Sequence, residues 1–184
     1  MMTYHQRKNK NEIAVEIGEA GIIYKIKDDT VNRREKISYE SILNDQYELY
    51  ESNNTYKNNA IYTGIVGTIF LLINIFYGTK LWAWLFMLSC PIFYFLYYRS
   101  KAAFTVMKTT SDVNLVILQD KQHAQILEDI YKSRNNYLKV NYLTIDYEND
   151  PQRELNKFSW LQELDIISER EFKVIQEDIE NNMV

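Results

Sequence analysis

Histidine and cysteine are the side chains best suited to nucleophilic, proton-transfer or soft-metal chemistry, and this sequence has two His and one Cys. His5 lies in a polar N-terminal segment, and His123 lies in the first turn of a predicted helix without a Cys or Ser partner nearby. Glu128 and Asp129 are typical of a solvated helix face. The sequence has no phosphate-loop, G-x-S-x-G or H-E-x-x-H motif. We therefore predict no catalytic, cofactor-binding or metal-binding residues, and no enzyme.

Basic side chains offer the first candidates for binding. Arg33, Arg34 and Lys36 form the densest cluster, for which a solvated hairpin end is the alternative interpretation. Arg99 and Lys101 follow a long apolar stretch, and each cation beside an anionic lipid surface contributes about 1 kcal/mol. The whole chain carries 21 Lys and Arg against 25 Asp and Glu, a net charge of −4, so it lacks the basic footprint of a nucleic-acid-binding protein.

The apolar stretch covers residues 58–98, where Lys80 is the single charged residue. Two uninterrupted runs, Ala60–Tyr77 and Leu81–Tyr98, are each long enough to cross about 30 Å of hydrocarbon as a helix. The short linker between them favours an antiparallel arrangement. The sequence therefore predicts a two-helix transmembrane hairpin, with a buried helix pair of a soluble domain as the alternative interpretation.

Positive charges at the ends of these runs predict an orientation. Lys57 precedes the first run and Arg99, Lys101 and Lys108 follow the second, whereas the linker carries only Lys80. Because positively charged flanks remain in the cytoplasm, we expect two spans with both termini cytoplasmic, in a bacterial inner membrane.

The segments on either side of the hairpin read as strands followed by a helix. Alternating apolar and polar residues predict these strands and a single helical turn: Glu12–Ile17, Ile22–Lys27, Arg33–Tyr39, the turn Ser38–Leu43, Gln46–Glu51, Ala102–Lys108 and Val113–Gln119. A helix follows over Lys121–Leu138. Since neither half has enough strands to be stable alone, we expect one antiparallel sheet closed by this helix.

That order of elements resembles a pleckstrin-homology-like (PH-like) domain of small bacterial membrane proteins. The resemblance rests on GIIYKIKDDTVNRREKISYESI, FTVMKTTSDVNLVILQD and the helix HAQILEDIYKSRNNYL. It implies a cytoplasmic domain made of residues 1–57 and 99–147, with the hairpin 58–98 inserted. PH-like domains bind phosphoinositides, peptides or proteins, so the resemblance implies binding, but it transfers no individual binding residue to this chain.

Residues 151–184 predict a C-terminal helical hairpin, with helices over Pro151–Leu164 and Glu169–Asn181. Ser168 and Glu171 have the spacing of a capping box. The stretch FSWLQELDIISEREFKVIQEDI resembles the short C-terminal domain known as SHOCT, although Asp165 stands where that family usually has Gly. The resemblance implies oligomerisation or protein contacts, for which Trp160 and Phe172 are the candidate anchors.

Taken together, these features predict an α+β membrane protein that uses no cofactor. We expect an integral inner-membrane binding or regulatory protein that presents a PH-like module to a protein or a lipid head group. A membrane immunity or defence accessory protein, which neutralises a toxin at the inner membrane, is the alternative. The expected partners are membrane lipid and either a protein or a second copy of the chain, and not nucleic acid.

Overall fold

The computed structural model describes residues 1–9, 11–28, 32–77 and 82–182. Within these residues the chain is α+β, with two antiparallel sheets. The strands are β1 (Met2–Lys8), β2 (Asn11–Ile17), β3 (Ile22–Lys27), β4 (Asn32–Ile37), β5 (Ile42–Glu51), β6 (Ala102–Thr109) and β7 (Leu115–Leu118). The helices are α1 (Asn54–Tyr77), α2 (Trp82–Ser100), α3 (His123–Tyr142), α4 (Pro151–Glu163) and α5 (Glu169–Asn182), with a 3₁₀ turn at Tyr39–Ser41.

The first sheet is an antiparallel meander in the order β1-β2-β3-β4. Its strands follow the two-residue period of the sequence, because alternate side chains of a strand point to opposite faces. In β2, the side chains of Ile13, Val15 and Ile17 are buried, whereas Ala14 and Glu16 lie on the other face. We call these the core face and the outer face of the sheet.

A tight turn joins β2 to β3, and it needs glycine at one position. Gly21 has a φ of 147°, a conformation that side chains rarely permit. A Cβ atom at Gly21 would also lie 2.5 Å from the backbone oxygen of Ile37 in β4. The same turn is closed by a hydrogen bond of 2.9 Å from the Gly18 amide to the Gly21 carbonyl.

The second sheet has the order β5-β6-β7, and α3 closes the core. The Gln6 side chain joins β1 to β7, because its amide donates to the Leu118 carbonyl at 2.8 Å and its oxygen accepts from the Leu118 amide at 3.0 Å. The hydroxyl of Tyr4 donates to the carboxylate of Asp129 on α3. Buried isoleucines of α3, Ile126 and Ile130, complete the apolar core.

Most of these helices and strands were predicted from the sequence, but two of the predictions need correction. The strand β1 is missing from the predictions, which treated His5 as part of a polar tail. Only Gln6 of this strand is buried, so its sequence lacks the apolar alternation that signals a strand. The prediction of one antiparallel sheet is also wrong, since the strands divide into a four-stranded and a three-stranded sheet.

The C-terminal helices α4 and α5 form a hairpin that packs against α3. The capping box at the start of α5 is confirmed: the Ser168 amide donates to the Glu171 carboxylate at 2.7 Å, and the Glu171 amide donates to the Ser168 hydroxyl at 3.3 Å. Asp165 in the connecting turn has a φ of 57°, the left-handed conformation for which glycine is usual. The Asn44 amide donates to its carboxylate at 2.9 Å.

The chain divides into two compact units, residues 1–47 with 105–184, and residues 48–104. In the second unit α1 and α2 pack side by side as antiparallel helices, with the Asn53 amide donating to the Ser100 hydroxyl at 3.1 Å where α1 begins and α2 ends. Gly64 allows a close approach, because a Cβ there would lie 3.3 Å from the Cys90 sulfur. Lys80 and its linker lie outside the described residues.

The predicted two-helix transmembrane hairpin is wrong. Among the described residues, only Asn54–Phe76 forms a helix long and apolar enough to cross a membrane, and most of its side chains are exposed. The helix α2 does not meet this criterion. It contains Pro91, has Arg99 in its last turn and carries the weakly polar side chains of Tyr94, Tyr97 and Tyr98, all of which lower its mean hydropathy. Leu81, with which the second apolar run begins, lies outside the described residues.

Candidate functional site

The outer face of the four-stranded sheet carries an excess of positive charge. Pairing of the strands places its side chains in three rows, which are Thr3–Glu16–Ile23–Lys36, His5–Ala14–Lys25–Arg34 and Arg7–Glu12–Lys27–Asn32. Five of these side chains are Lys or Arg and two are Glu. Because cations from all three rows, on three of the four strands, project from one face, this surface favours an anionic partner.

The two carboxylates of the outer face neutralise some of its cations. Glu16 accepts from the Lys25 ammonium at 2.9 Å and lies 4.0 Å from the Arg34 guanidinium. The hydrogen bond from Lys25 lowers the pKa of Glu16, so this carboxylate stays ionised. Among the described residues, Lys27 and Lys36 have no ion-pair partner, which leaves their charges available for contacts from outside.

A depression of about 470 Å³ lies on the outer face around Ala14. Ala14 has the smallest side chain of its row, between His5 on one side and Lys25 on the other. Cations on three strands contribute to its lining, which comprises His5, Gln6, Arg7, Glu12, Ile13, Ala14, Lys25, Ile26, Lys27, Asn32, Arg33 and Arg34. The volume is within the range of about 300–1,000 Å³ that is typical of small-molecule pockets.

The cluster predicted from Arg33, Arg34 and Lys36 is divided by the strand. Arg34 and Lys36 lie on the outer face, whereas the side chain of Arg33 starts from the other face and pairs with Glu35 at 2.6 Å. Arg33 still contributes to the rim of the depression, and Lys36 does not line it. The three cations are close in sequence, but the pleat of the strand places Arg33 on the opposite face from Arg34 and Lys36.

Three cations of the outer face, Arg7, Lys25 and Lys27, are missing from the sequence-predicted site. Arg7 lies on β1, at least 18 residues before Lys25 and Lys27 on β3, so no local cluster in the sequence indicates the three together. The signal that was available is the alternation of IIYKIK, which places Lys25 and Lys27 on one face opposite the buried residues.

Trp160 and Phe172, the predicted anchors of the C-terminal hairpin, pack within the protein's own fold. Both are half-buried against an apolar cluster. The ring of Trp160 meets that of Tyr142 on α3 edge-on, with 5.4 Å between the centroids. The cluster's buried members are Leu138, Phe158, Leu161, Leu164, Ile166, Ile167 and Ile179. The docking site of these rings thus includes α3 of the same chain.

The buried guanidinium of Arg134 joins this hairpin to the rest of its unit. Arg134 has 1% of its surface exposed. It donates to the carbonyls of Ile42 at 3.1 Å and Leu164 at 2.9 Å, and to the Asn44 side-chain oxygen at 2.7 Å. Burial lowers the pKa of Arg134, because desolvation disfavours the charged form. This residue has a structural role that sequence reasoning did not identify.

Arg99 and Lys101, the predicted cations beside the apolar helices, are both exposed. The Lys101 ammonium lies 5.1 Å from the centroid of the Tyr97 ring and 5.4 Å from that of Tyr98. Such cation–π contacts keep the ammonium near the aromatic end of α2. These two cations belong to the compact unit of residues 48–104, whereas the outer sheet face belongs to the unit of residues 1–47 and 105–184.

Groups with catalytic potential are few in the part of the chain that the structure describes. His123 lies 2.7 Å from the Thr105 hydroxyl, which also accepts from the Gln119 amide at 3.1 Å. Thr105 is buried, so this hydroxyl faces no open substrate site. Within the same residues, no group of three or more His, Cys, Asp or Glu side chains is arranged to hold a metal ion.

No protein-family model, curated protein or solved structure matches this chain. The resemblances to PH-like and SHOCT domains therefore stay predictions from the sequence, and the function is argued from the surfaces described above.

Proposed function

We propose that this protein is a membrane-associated binding or regulatory protein whose PH-like α+β module contacts an anionic protein surface or lipid head group. The observation that carries the proposal is the outer face of the four-stranded sheet, with five Lys or Arg against two Glu. The depression around Ala14 gives this face a defined place for a ligand.

Membrane association is supported by α1. Asn54–Phe76 forms a helix that is long and apolar enough to cross a membrane. Its large apolar side chains, such as Phe76 (78% exposed), are not covered by the protein. An exposed apolar surface of this kind marks a contact with lipid or protein. We propose the bacterial inner membrane as its location.

The topology of the chain constrains the orientation. Residues 1–47 and 105–184 form one compact unit, so both parts must lie on the same side of a membrane. We propose the cytoplasmic side, because Lys57, Arg99, Lys101 and Lys108 lie near the ends of the helices. Both termini are then cytoplasmic, and α1 contacts the bilayer without placing residues 1–47 and 105–184 on opposite sides of it.

A photo-crosslinking experiment in cells tests the proposal. Benzoylphenylalanine replaces Ala14 on the outer face or, as a matched control, Val140, an exposed residue of α3 (73%). We expect the protein in the membrane fraction, and a specific adduct with a protein or lipid from position 14 only. Loss from the membrane fraction, or equal adduct yields from both positions, would contradict the proposal.

A further inference from the structure

The depression around Ala14 combines an excess of positively charged side chains with apolar groups in its lining. Five Lys or Arg residues and one Glu line it. The methyl group of Ala14 and the aliphatic stems of Lys25 and Lys27 also face it, since long basic side chains carry their charge at the tip. A ligand that fills it needs an anionic group at the rim and an apolar part below.

The arrangement of the cations favours a phosphate group. Arg7 lies on β1, Lys25 and Lys27 on β3, and Arg34 on β4, so the positive groups surround the depression from both sides. A tetrahedral phosphate presents several oxygens in different directions and carries up to two charges as a monoester. Arg and Lys are the usual partners of phosphate because they form charge-assisted hydrogen bonds with it.

Lys27 is the cation most available to such a ligand. Glu16 engages Lys25 and Arg34, and Arg7 lies 3.4 Å from the carboxylate of Glu12. Among the described residues, Lys27 has no carboxylate partner, so an incoming phosphate does not compete with an existing ion pair there.

We propose that the depression around Ala14 is a binding site for a phosphate group joined to a small apolar moiety. The inference rests on the proposed function, which assigns the outer face to binding, and it adds the class of ligand. Two sources share this chemistry: the phosphate of an anionic phospholipid head group with the adjoining acyl part of the lipid, and a free phosphate monoester with an apolar substituent. The chemistry of the site is the same for both.

The test uses the full-length chain in nanodiscs with labelled alanine methyl groups, observed by NMR. Phenyl phosphate and inorganic phosphate are titrated into phosphatidylcholine nanodiscs, and a separate sample contains phosphatidylglycerol. We expect a saturable shift of the Ala14 methyl signal, with phenyl phosphate binding more tightly than inorganic phosphate. A shift with phosphatidylglycerol alone identifies a lipid head group as the source. The signal of Ala20, in the turn after β2, reports that the fold is intact.

Two lysines of the same face provide matched variants. Lys27→Gln removes a cation that lines the depression and should weaken binding about tenfold, the effect of losing one charge-assisted hydrogen bond. Lys36→Gln removes an equivalent charge outside the depression, so we expect binding within about twofold of the unmodified chain. Ala14→Leu fills the depression without changing the charge, and calorimetry should then detect no binding of phenyl phosphate.

Three results would overturn the inference. An Ala14 signal unchanged by phenyl phosphate, inorganic phosphate and phosphatidylglycerol would show that the depression takes no phosphate. Equal losses for Lys27→Gln and Lys36→Gln would indicate diffuse charge attraction instead of a site, and so would undiminished binding to Ala14→Leu. If position 14 still cross-links to a partner in cells, the proposed function stands and only the phosphate site fails.

Discussion

Replacing Arg134 by methionine removes the guanidinium that holds the C-terminal hairpin against its own unit. Methionine has a similar length and no charge, so the change tests the hydrogen bonds with little loss of packing. The oxygens of Ile42, Leu164 and Asn44 would each lose a donor at 3.1 Å or less. Since Arg134 is almost fully buried, water cannot simply replace it.

The magnitude follows from these three acceptors. A buried acceptor without a partner costs about 1–3 kcal/mol, so the two buried carbonyls of Ile42 and Leu164 predict a loss of at least about 2 kcal/mol, to which the partly buried Asn44 oxygen adds less. Removing a buried charge recovers part of this, because desolvation of the guanidinium opposes folding. We therefore expect a net loss of about 2 kcal/mol, which lowers the midpoint of thermal unfolding by about 4–8 °C in a chain of this size.

Trp160 gives a local assay for this change. The sequence has three tryptophans, and replacing Trp82 and Trp84 by phenylalanine leaves Trp160 as the only emitter. Its ring is half-buried against Tyr142, so its emission moves to longer wavelength when the hairpin leaves α3. The midpoint of this shift should fall in Arg134→Met.

Two further variants decide what an observed change means. Arg153→Met alters an exposed arginine on α4 and should leave the midpoint unchanged. Arg134→Lys keeps the charge but loses the planar fork that reaches separate acceptors, so its midpoint should lie between the other two. An Arg134→Met midpoint equal to that of Arg153→Met would refute the argument that these hydrogen bonds hold the hairpin.

Three more outcomes are expected. The hydrogen bond from Tyr4 lowers the pKa of Asp129. The stability that this carboxylate contributes is therefore present above the unfolded pKa of about 4 and is lost as the pH falls through the folded pKa. A plot of unfolding free energy against pH should accordingly be flatter in acid for Asp129→Asn than for the unmodified chain. Ser168→Ala removes a helix cap and should cost about 1 kcal/mol in denaturant unfolding, with no change in the unfolding slope. Gly21→Ala forces a Cβ to 2.5 Å from the Ile37 carbonyl and should lower the yield of folded protein or cost about 2 kcal/mol or more, so wild-type stability of this variant would contradict the turn geometry.

The fold was predictable where the sequence alternates or repeats with a clear period. The strand Ile22–Lys27 has the predicted bounds, and the helical turn near Tyr39 and both C-terminal helices are present. The strand β1 was not predictable in this way, since its inward side chains Tyr4 and Gln6 are polar and satisfy their hydrogen bonds with distant residues. Those partners lie more than 100 residues away in the sequence, so no local sequence pattern indicates them.

The candidate site was harder to predict than the fold. A cluster in sequence suggested Arg33, Arg34 and Lys36, but a basic surface on a sheet is built from rows across strands. Lys27 and Arg7 join it only through the register of β1 to β3. The register depends on turns and on core packing, and neither can be read from charge. The two-helix transmembrane hairpin was wrong for a different reason: the second run was judged by its lack of charge, whereas Pro91 and several tyrosines lower the mean hydropathy of α2.

The position of α1 and α2 between β5 and β6 also bears on how the protein is made. The sheet β1–β4 is synthesised first, but the Gln6 side chain finds its partner only at Leu118. About 80 residues separate β4 from β7, which at about 5–20 residues per second is roughly 4–16 s of synthesis. During this interval the apolar core face of the nascent sheet lacks its cover. We therefore expect aggregation to be most favourable while the chain is still bound to the ribosome. Because the native contacts join residues that are distant in sequence, we also expect folding to be slow.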